Sequence, residues 1–282
     1  MQGNTIKLGF HGATTMTADL QTDVAASAHA GFKTLELWAA KVDRFLAGHS
    51  LADLQALLQQ NNVAPMTFNS IEFIAFRGDE FGTIKDRCHQ LCEIAQAIGC
   101  PSVAVIPSPT LTWQTSWEII VTEHVAALQQ LSDIADDYGI KLAFEFLGFG
   151  WCSVRTPRGA QEIIQKTARN NVGMVVDAAH FYIGGGLLSE IEQLDPKSIY
   201  AFHLDDIEDT SKEAYTDAAR LLPGLGVVPL DEVCARLKGI GYNGPCSIEL
   251  FRPEYWDWDP MQLAVKARDA AIKVLSPYFE IE

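Results

Sequence analysis

The stretch LSDIADDYGIKLAFEFLG (Leu131–Gly148) contains the end of a helix, a glycine stop and a strand. A helical pattern from Ser116 to Tyr138 closes at Gly139, the residue type most at ease just past a helix C-terminus. Lys141–Phe146 (KLAFEF) then reads as a short strand. Pro157–Ala168 follows as a helix, with proline in the first turn, where its missing N–H loses no bond. The next extended run is Val172–Asp177.

The same alternation continues in both directions. Toward the N-terminus, extended runs are expected at Lys7–Phe10, Thr34–Trp38, Ala64–Asn69 (with Pro65 near its start) and Ser102–Ile106. Helices are expected at Ala18–Ala30, stopped by Gly31, and at Ile84–Ile98, stopped by Gly99. Between them another opens on Ser50 as N-cap, with Leu51, Leu54, Leu57 and Leu58 on one face. Toward the C-terminus, Ile199–Leu204 and Cys246–Leu250 read as strands, and Leu187–Leu194, Leu230–Lys238 and Pro260–Val274 as helices. Eight strand-then-helix units without a low-complexity linker imply a parallel sheet. They predict an α/β fold with residues 1–282 as a single domain, a closed (β/α)8 TIM barrel, whose usual size is about 250 residues. An open doubly wound sheet fits less well, because neither Gly184-Gly-Gly186 nor Gly224-Leu-Gly226 has the spacing of a dinucleotide-binding turn.

Composition narrows the partners. The 282 residues carry 21 Lys plus Arg against 36 Asp plus Glu, a net charge of −15, with no basic patch, so nucleic acid is excluded as a partner. No apolar run approaches the ~18 residues of a membrane span, and Met1–Phe10 lacks the layout of a secretory signal. The six cysteines form no CxxC motif. Cys88 and Cys92 sit at i, i+4 beside His89, but reduced, buried thiols are the simpler reading than a metal pair, and the expected compartment is the cytoplasm. The oligomeric state is left open.

In a barrel of this kind, function collects at the C-terminal ends of the strands. Four successive strands reach that rim with a metal-ligand type of residue: Glu145 in LAFEFLG, Asp177 after VGMVV, His203 in YAFHLDD and Glu249 in CSIELF. An unpartnered carboxylate in such an apolar run would be strongly destabilising, so each must be paired, protonated or metal-bound. Three acids and one imidazole converging on the axis make an O3N donor set of formal charge −3. That set suits one divalent ion, Mn2+, Co2+, Mg2+ or Zn2+. Asp205 and Asp206 are alternative ligands, and His180 is expected to contact substrate. Trp38, Trp113, Trp117, Trp151 and Trp256 are placed near the same rim, where rings can cover the C–H face of a sugar-like ring.

Glu145, Asp177, His203 and Glu249 together resemble the ligand set of the xylose isomerase-like metal barrels, the sugar isomerase and epimerase family that also includes endonuclease IV. Within it the chain is similar to the inosose isomerase branch. GATT (Gly12–Thr15), HSLADL (His49–Leu54), Leu131–Gly148, NVGMVVDAAHF (Asn171–Phe181), FHLDDIED (Phe202–Asp209), RLLPGLG (Arg220–Gly226) and LKGIGYNGPCSIELFRPEYW (Leu237–Trp256) carry the likeness. It spans nearly the whole chain, and ELFRPEYW after GYNGP is its narrowest piece. The resemblance implies one divalent metal, Mn2+ first, on those four residues, and a small cyclic polyol ketone as substrate. The implied reaction belongs to inositol catabolism and moves a carbonyl to the neighbouring carbon. Glu145 and Glu249 are then also the catalytic proton carriers, with His180, Arg252 and Arg220 contacting hydroxyls. A tagatose- or fructose-type ketose 3-epimerase using the same metal and acids is the alternative, and ELFRPEYW argues against it. A DNA-repair role would need more histidines than the seven present and a basic face. Glu72 and the loop LGFGWC (Leu147–Cys152) depart from the family pattern beside the pocket.

Overall fold

A computed structural model describes residues 4–282; Met1–Gly3, the first residues of the stretch read for a secretory signal, lie outside it. Eight parallel strands run Thr5–His11, Thr34–Trp38, Ala64–Ile71, Ser102–Val105, Lys141–Glu145, Val172–Asp177, Ile199–His203 and Pro245–Ile248. Each pairs with the next in sequence, and the eighth returns to the first through Lys7↔Pro245 to Phe10↔Ile248, which closes the barrel. A two-residue strand, Glu280–Ile281, pairs in parallel with the start of the first strand, Thr5↔Glu280 and Ile6↔Ile281.

The strands bury both faces, as a parallel sheet wrapped in helices must. One face meets the helical layer through a continuous core that includes Phe10, Leu35, Phe68, Phe144 and Ile248. The other faces the axis, where Met66, Ala143, Val175 and Ala201 pack together. The axis is crowded: a Cβ on Gly9 would stand 2.6 Å from both Met66 Sδ and Thr34 Oγ1, so any side chain there would force both to shift.

The helices begin where side chains can absorb the free N–H groups of their first turns. Ser50 and Asp53 form a reciprocal capping box on helix Leu51–Gln60, Ser116 caps Trp117–Asp137, and Thr156 caps Pro157–Thr167. Helix Leu20–Ala30 packs on the last helix, Pro260–Leu275, which completes the outer ring. Among the described residues no helix is long and apolar enough to cross a membrane. All six cysteines are free and buried; the Sγ atoms of Cys88 and Cys92 lie 3.9 Å apart inside the helical layer.

Two segments differ from the sequence reading. Ala39–Leu46 is a helix that the pattern did not mark: Trp38 makes no capping bond, and only eight residues are involved. Ala178–Gly184 forms a helix directly after Asp177, leaving only Leu188–Ile191 of the one expected at Leu187–Leu194. The chain after His203 also folds into a structure of its own, with Asp206–Ile207 pairing antiparallel with Arg220–Leu221. Asp206 organises this turn by accepting from the backbone N–H of Gly224 (3.1 Å), Gly226 (2.8 Å) and Val228 (2.9 Å).

Candidate active site at the C-terminal rim

Barrel closure brings the last residues of the fifth, sixth and seventh strands (Glu145, Asp177 and His203) onto the axis, with Glu249 one residue beyond the eighth. All four are buried. Each offers one donor atom, and the four atoms lie within 4.8 Å of one another. His203 Nδ1 is the hub, at 3.2 Å from Glu145 Oε1, 3.3 Å from Glu249 Oε2 and 3.7 Å from Asp177 Oδ2. Glu145 Oε1 and His203 Nδ1 are buried without a hydrogen-bond partner among the described residues. Buried polar atoms are rarely left in that condition unless a ligand uses them. Three carboxylates, one imidazole and two uncommitted donor atoms fit a divalent cation.

Around this set the chain arranges its own charges. Arg220, from the connection between the seventh and eighth strands, is fully buried; its Nη1 donates to Asp177 Oδ2 at 2.8 Å and to Glu249 Oε2 at 3.1 Å, and also bonds Asp205. Its Nη2 lies 3.0 Å from His180 Nε2, and its Nε donates to Asp217 at 3.2 Å. On the opposite side, His203 Nε2 lies 3.0 Å from Glu36 Oε2, and Ser247 Oγ donates to the same oxygen at 2.5 Å. His11 Nε2 lies 3.1 Å from Glu249 Oε1, and Asn69 Nδ2 donates to that oxygen at 3.3 Å.

These neighbours push the acids in different directions. Burial raises the Glu145 carboxyl to about 8, with Glu249 and Asp177 adding to the rise and His203 opposing it. Burial also works against ionised Glu249, but His203, His11 and Arg220 hold it below the usual carboxylate range. Asp177 is likewise held down against burial, chiefly by Arg220 and His180. Burial opposes a charge on His203, yet Glu36, Glu249 and Glu145 raise it well above the ordinary imidazole value. Two glutamates in one pocket thus differ in proton affinity, the arrangement that separates acid from base.

A cavity of about 210 Å³ opens onto the acids, lined by Glu145, Glu249, His180, Arg220, Asn69 and Asp217 among polar groups. Trp38, Phe73, Phe149, Trp151 and Phe251 form its apolar wall, with Phe149 stacked on Trp151 at 5.0 Å between ring centres. Glu72, Leu147, Phe149 and Trp151, from the two segments that depart from the family pattern, all reach this cavity.

Some expected residues lie elsewhere. Arg252 pairs with Glu208 at 2.7 Å and Glu254 at 3.1 Å, outside the cavity lining, because two surface carboxylates hold the guanidinium. Trp113 is 90% exposed, Trp117 donates to Glu162 on the helical layer, and Trp256 donates to Ala13 O, so none of the three lines the pocket. Asp206 is committed to its turn and Asp205 to Arg220 and the Ala179 N–H, so neither substitutes in the four-residue cluster. His11, Glu36 and Asn69, which the sequence reading passed over, belong to the site. A polar residue on a strand's alternate face reads as solvent-facing until the barrel is closed.

The family described as xylose isomerase-like TIM barrel matches residues 24–274. An inosose isomerase of Halalkalibacterium halodurans is 34% identical over 98% of this chain and 99% of its own length. One of Bacillus subtilis is 34% identical over 98% of this chain and 100% of its own. A crystal structure of IolI protein with a bound zinc atom, 34% identical, superposes with a TM-score of 0.93 over 97% of this chain and 99% of that one. D-psicose 3-epimerase, at 17% identity and a TM-score of 0.76, shares the fold. The chain therefore belongs to the xylose isomerase-like TIM barrel family, alongside the inosose isomerases.

Proposed function

We propose that this chain is an inosose isomerase that interconverts 2-keto-myo-inositol and 1-keto-D-chiro-inositol in inositol catabolism. The observation that carries the reading is the convergence of Glu145, Asp177, His203 and Glu249 beneath one cavity, with the Glu145 and His203 donor atoms uncommitted. These four residues are assigned to hold one divalent cation, Mn2+ first and Zn2+, Co2+ or Mg2+ as alternatives for the same donors. A divalent ion bound there supplies a Lewis acid for the negative charge that develops on two neighbouring substrate oxygens.

The chain's own residues do the rest. Glu249 takes the proton from the carbon bearing the hydroxyl next to the ketone. Glu145 delivers a proton to the former carbonyl carbon, and the hydroxyl proton passes to the other oxygen; Glu249 then releases its proton to solvent and Glu145 takes one up, which restores both groups and balances the cycle. Proton transfer by a placed carboxyl contributes about 10² to 10⁴ in rate. Arg220 and His180 line the cavity side by side, His180 Nε2 accepting from Arg220 Nη2, and together they position the ring hydroxyls. Phe149, Trp151 and Phe251 cover the ring's C–H face and exclude water. Six buried free thiols suit a reducing cytoplasm, and we assign residues 1–282 to one barrel domain.

The test is metal-stripped protein resupplied in turn with each of the four ions and given 2-keto-myo-inositol, the product identified by NMR. Formation of 1-keto-D-chiro-inositol is the expected result. Inosose left unchanged while D-tagatose or D-fructose is epimerised would replace this reading with the 3-epimerase one.

A further inference from the structure

Glu36 sits on the second strand, on the side of His203 away from the cavity, and it is fully buried. No side chain in the proposed chemistry uses it directly. A buried carboxylate needs compensation, and here every partner is polar and specific. Ser247 Oγ donates to Glu36 Oε2 at 2.5 Å, and His203 Nε2 lies 3.0 Å from the same oxygen. Asn69 Nδ2 donates to Oε1 at 3.5 Å, and His11 Nε2 lies 3.6 Å from it. His11 Nδ1 accepts from the Ala13 N–H at 2.9 Å, which leaves the proton of a neutral ring on Nε2, facing the two glutamates.

The consequence falls on His203. A carboxylate at Nε2 requires the proton there, so the lone pair of a neutral ring belongs to Nδ1. That nitrogen lies among Glu145, Asp177 and Glu249 and has no hydrogen-bond partner. We infer that Glu36 is the positioning residue of the site: it fixes the tautomer and plane of His203 and strengthens Nδ1 as a donor to the cation. The inference rests on the metal-site reading above. It adds that the second strand, which contributes none of the four assigned ligands, sets the affinity of the ion. Carboxylates behind ligating histidines do this generally, and losing one weakens metal binding or activity about 10- to 100-fold.

The test uses Glu36→Gln, which keeps the shape and an acceptor oxygen but removes the charge. Co2+ dissociation constants are measured by chelator competition for the wild-type and variant chains, with the visible spectrum of the Co2+ form reporting the ligand set. In the Zn2+-loaded proteins, ¹⁵N NMR reports which nitrogen of His203 carries the proton. The expected result is a 10- to 100-fold weaker dissociation constant, with the wild-type His203 proton on Nε2. Affinity within two-fold of wild type, or a wild-type His203 proton on Nδ1, overturns the inference. Should Glu36→Gln fail to fold, Ser247→Ala removes the anchor of Glu36 instead, and a several-fold weakening is expected; unchanged affinity overturns the inference equally. A wild-type chain that binds no Co2+ or Zn2+ would overturn the metal-site reading itself, and the inference with it. Normal wild-type binding with unaffected variants removes the role of Glu36 alone.

Discussion

Glu249 lies one residue past the end of its strand, where one carboxylate oxygen faces His11 and Asn69 and the other faces His203 and Arg220. It is assigned both to the cation and to the proton. Glu249→Gln separates the two roles, because an amide oxygen still ligates but cannot take a proton. Turnover should fall by about 10² or more at saturating metal, while metal affinity falls much less. Steady-state kcat beside a chelator competition measures both, and near wild-type turnover with metal bound would contradict the assignment of the base. At this scale the sequence was readable where a polar group interrupts an apolar strand, as at Glu145, Asp177, His203 and Glu249. It was silent at His11 and Glu36. Each of these lies on a strand whose other residues alternate, so a single polar position carried no sign of whether it faced axis or solvent.

The elements that shape the cavity are tied together by His124, in the helix Trp117–Asp137. Its Nδ1 is 2.7 Å from Ile120 O, and its Nε2 accepts from the Ser108 N–H at 3.3 Å, with Ser153 Oγ at 3.4 Å. Ser108 and Ser153 belong to the loops after the fourth and fifth strands; the first carries Ile106 to the cavity and the second Leu147, Phe149 and Trp151. Burial pushes the His124 imidazole from 6.5 down to about 4. Between those values the unfolded chain binds a proton that the folded chain does not, so stability falls as pH drops through this window. Its full extent is about 3 kcal/mol. Urea unfolding at pH 7 and pH 4.5 should therefore show a smaller loss for His124→Gln than for the wild type; an equal loss would show that His124 is not the group responsible. Helix ends with polar caps or glycine stops were legible in the sequence, and Ser50, Ser116 and Gly99 stand at such positions. The uncapped helix Ala39–Leu46 was not, and neither was the path of the chain after His203. Arg220 was expected as a hydroxyl contact; its burial within the site was not legible, because contacts with Asp177, Asp205 and Glu249 decide its position, and none of these is near it in sequence.

Across the whole molecule, a chain of net charge −15 gathers three carboxylates with donor atoms within 4.8 Å of one another on the axis of a closed barrel. Arg220 offsets part of that charge, and a bound cation offsets more. Ligand binding to the folded state alone stabilises it by about 2.7 kcal/mol at 100 times the dissociation constant. For a chain of this size that corresponds to a rise in Tm of roughly 5 °C. Calorimetry of chelated protein with and without added Mn2+ checks this, and an unchanged Tm would mean that the ion does not bind the folded barrel. The fold itself was the most legible level, because eight repeated strand-and-helix units constrain topology more tightly than any single boundary does. The measurement that bears most directly on the chemistry is isomerisation of 2-keto-myo-inositol in D2O by metal-resupplied protein. If Glu249 removes the proton and Glu145, a different residue, delivers one, the 1-keto-D-chiro-inositol formed carries one solvent deuterium at the former carbonyl carbon, and none forms without metal. Product that carries there the hydrogen transferred from the neighbouring carbon, or forms equally well in chelated protein, would contradict proton transfer by two glutamates at a metal site.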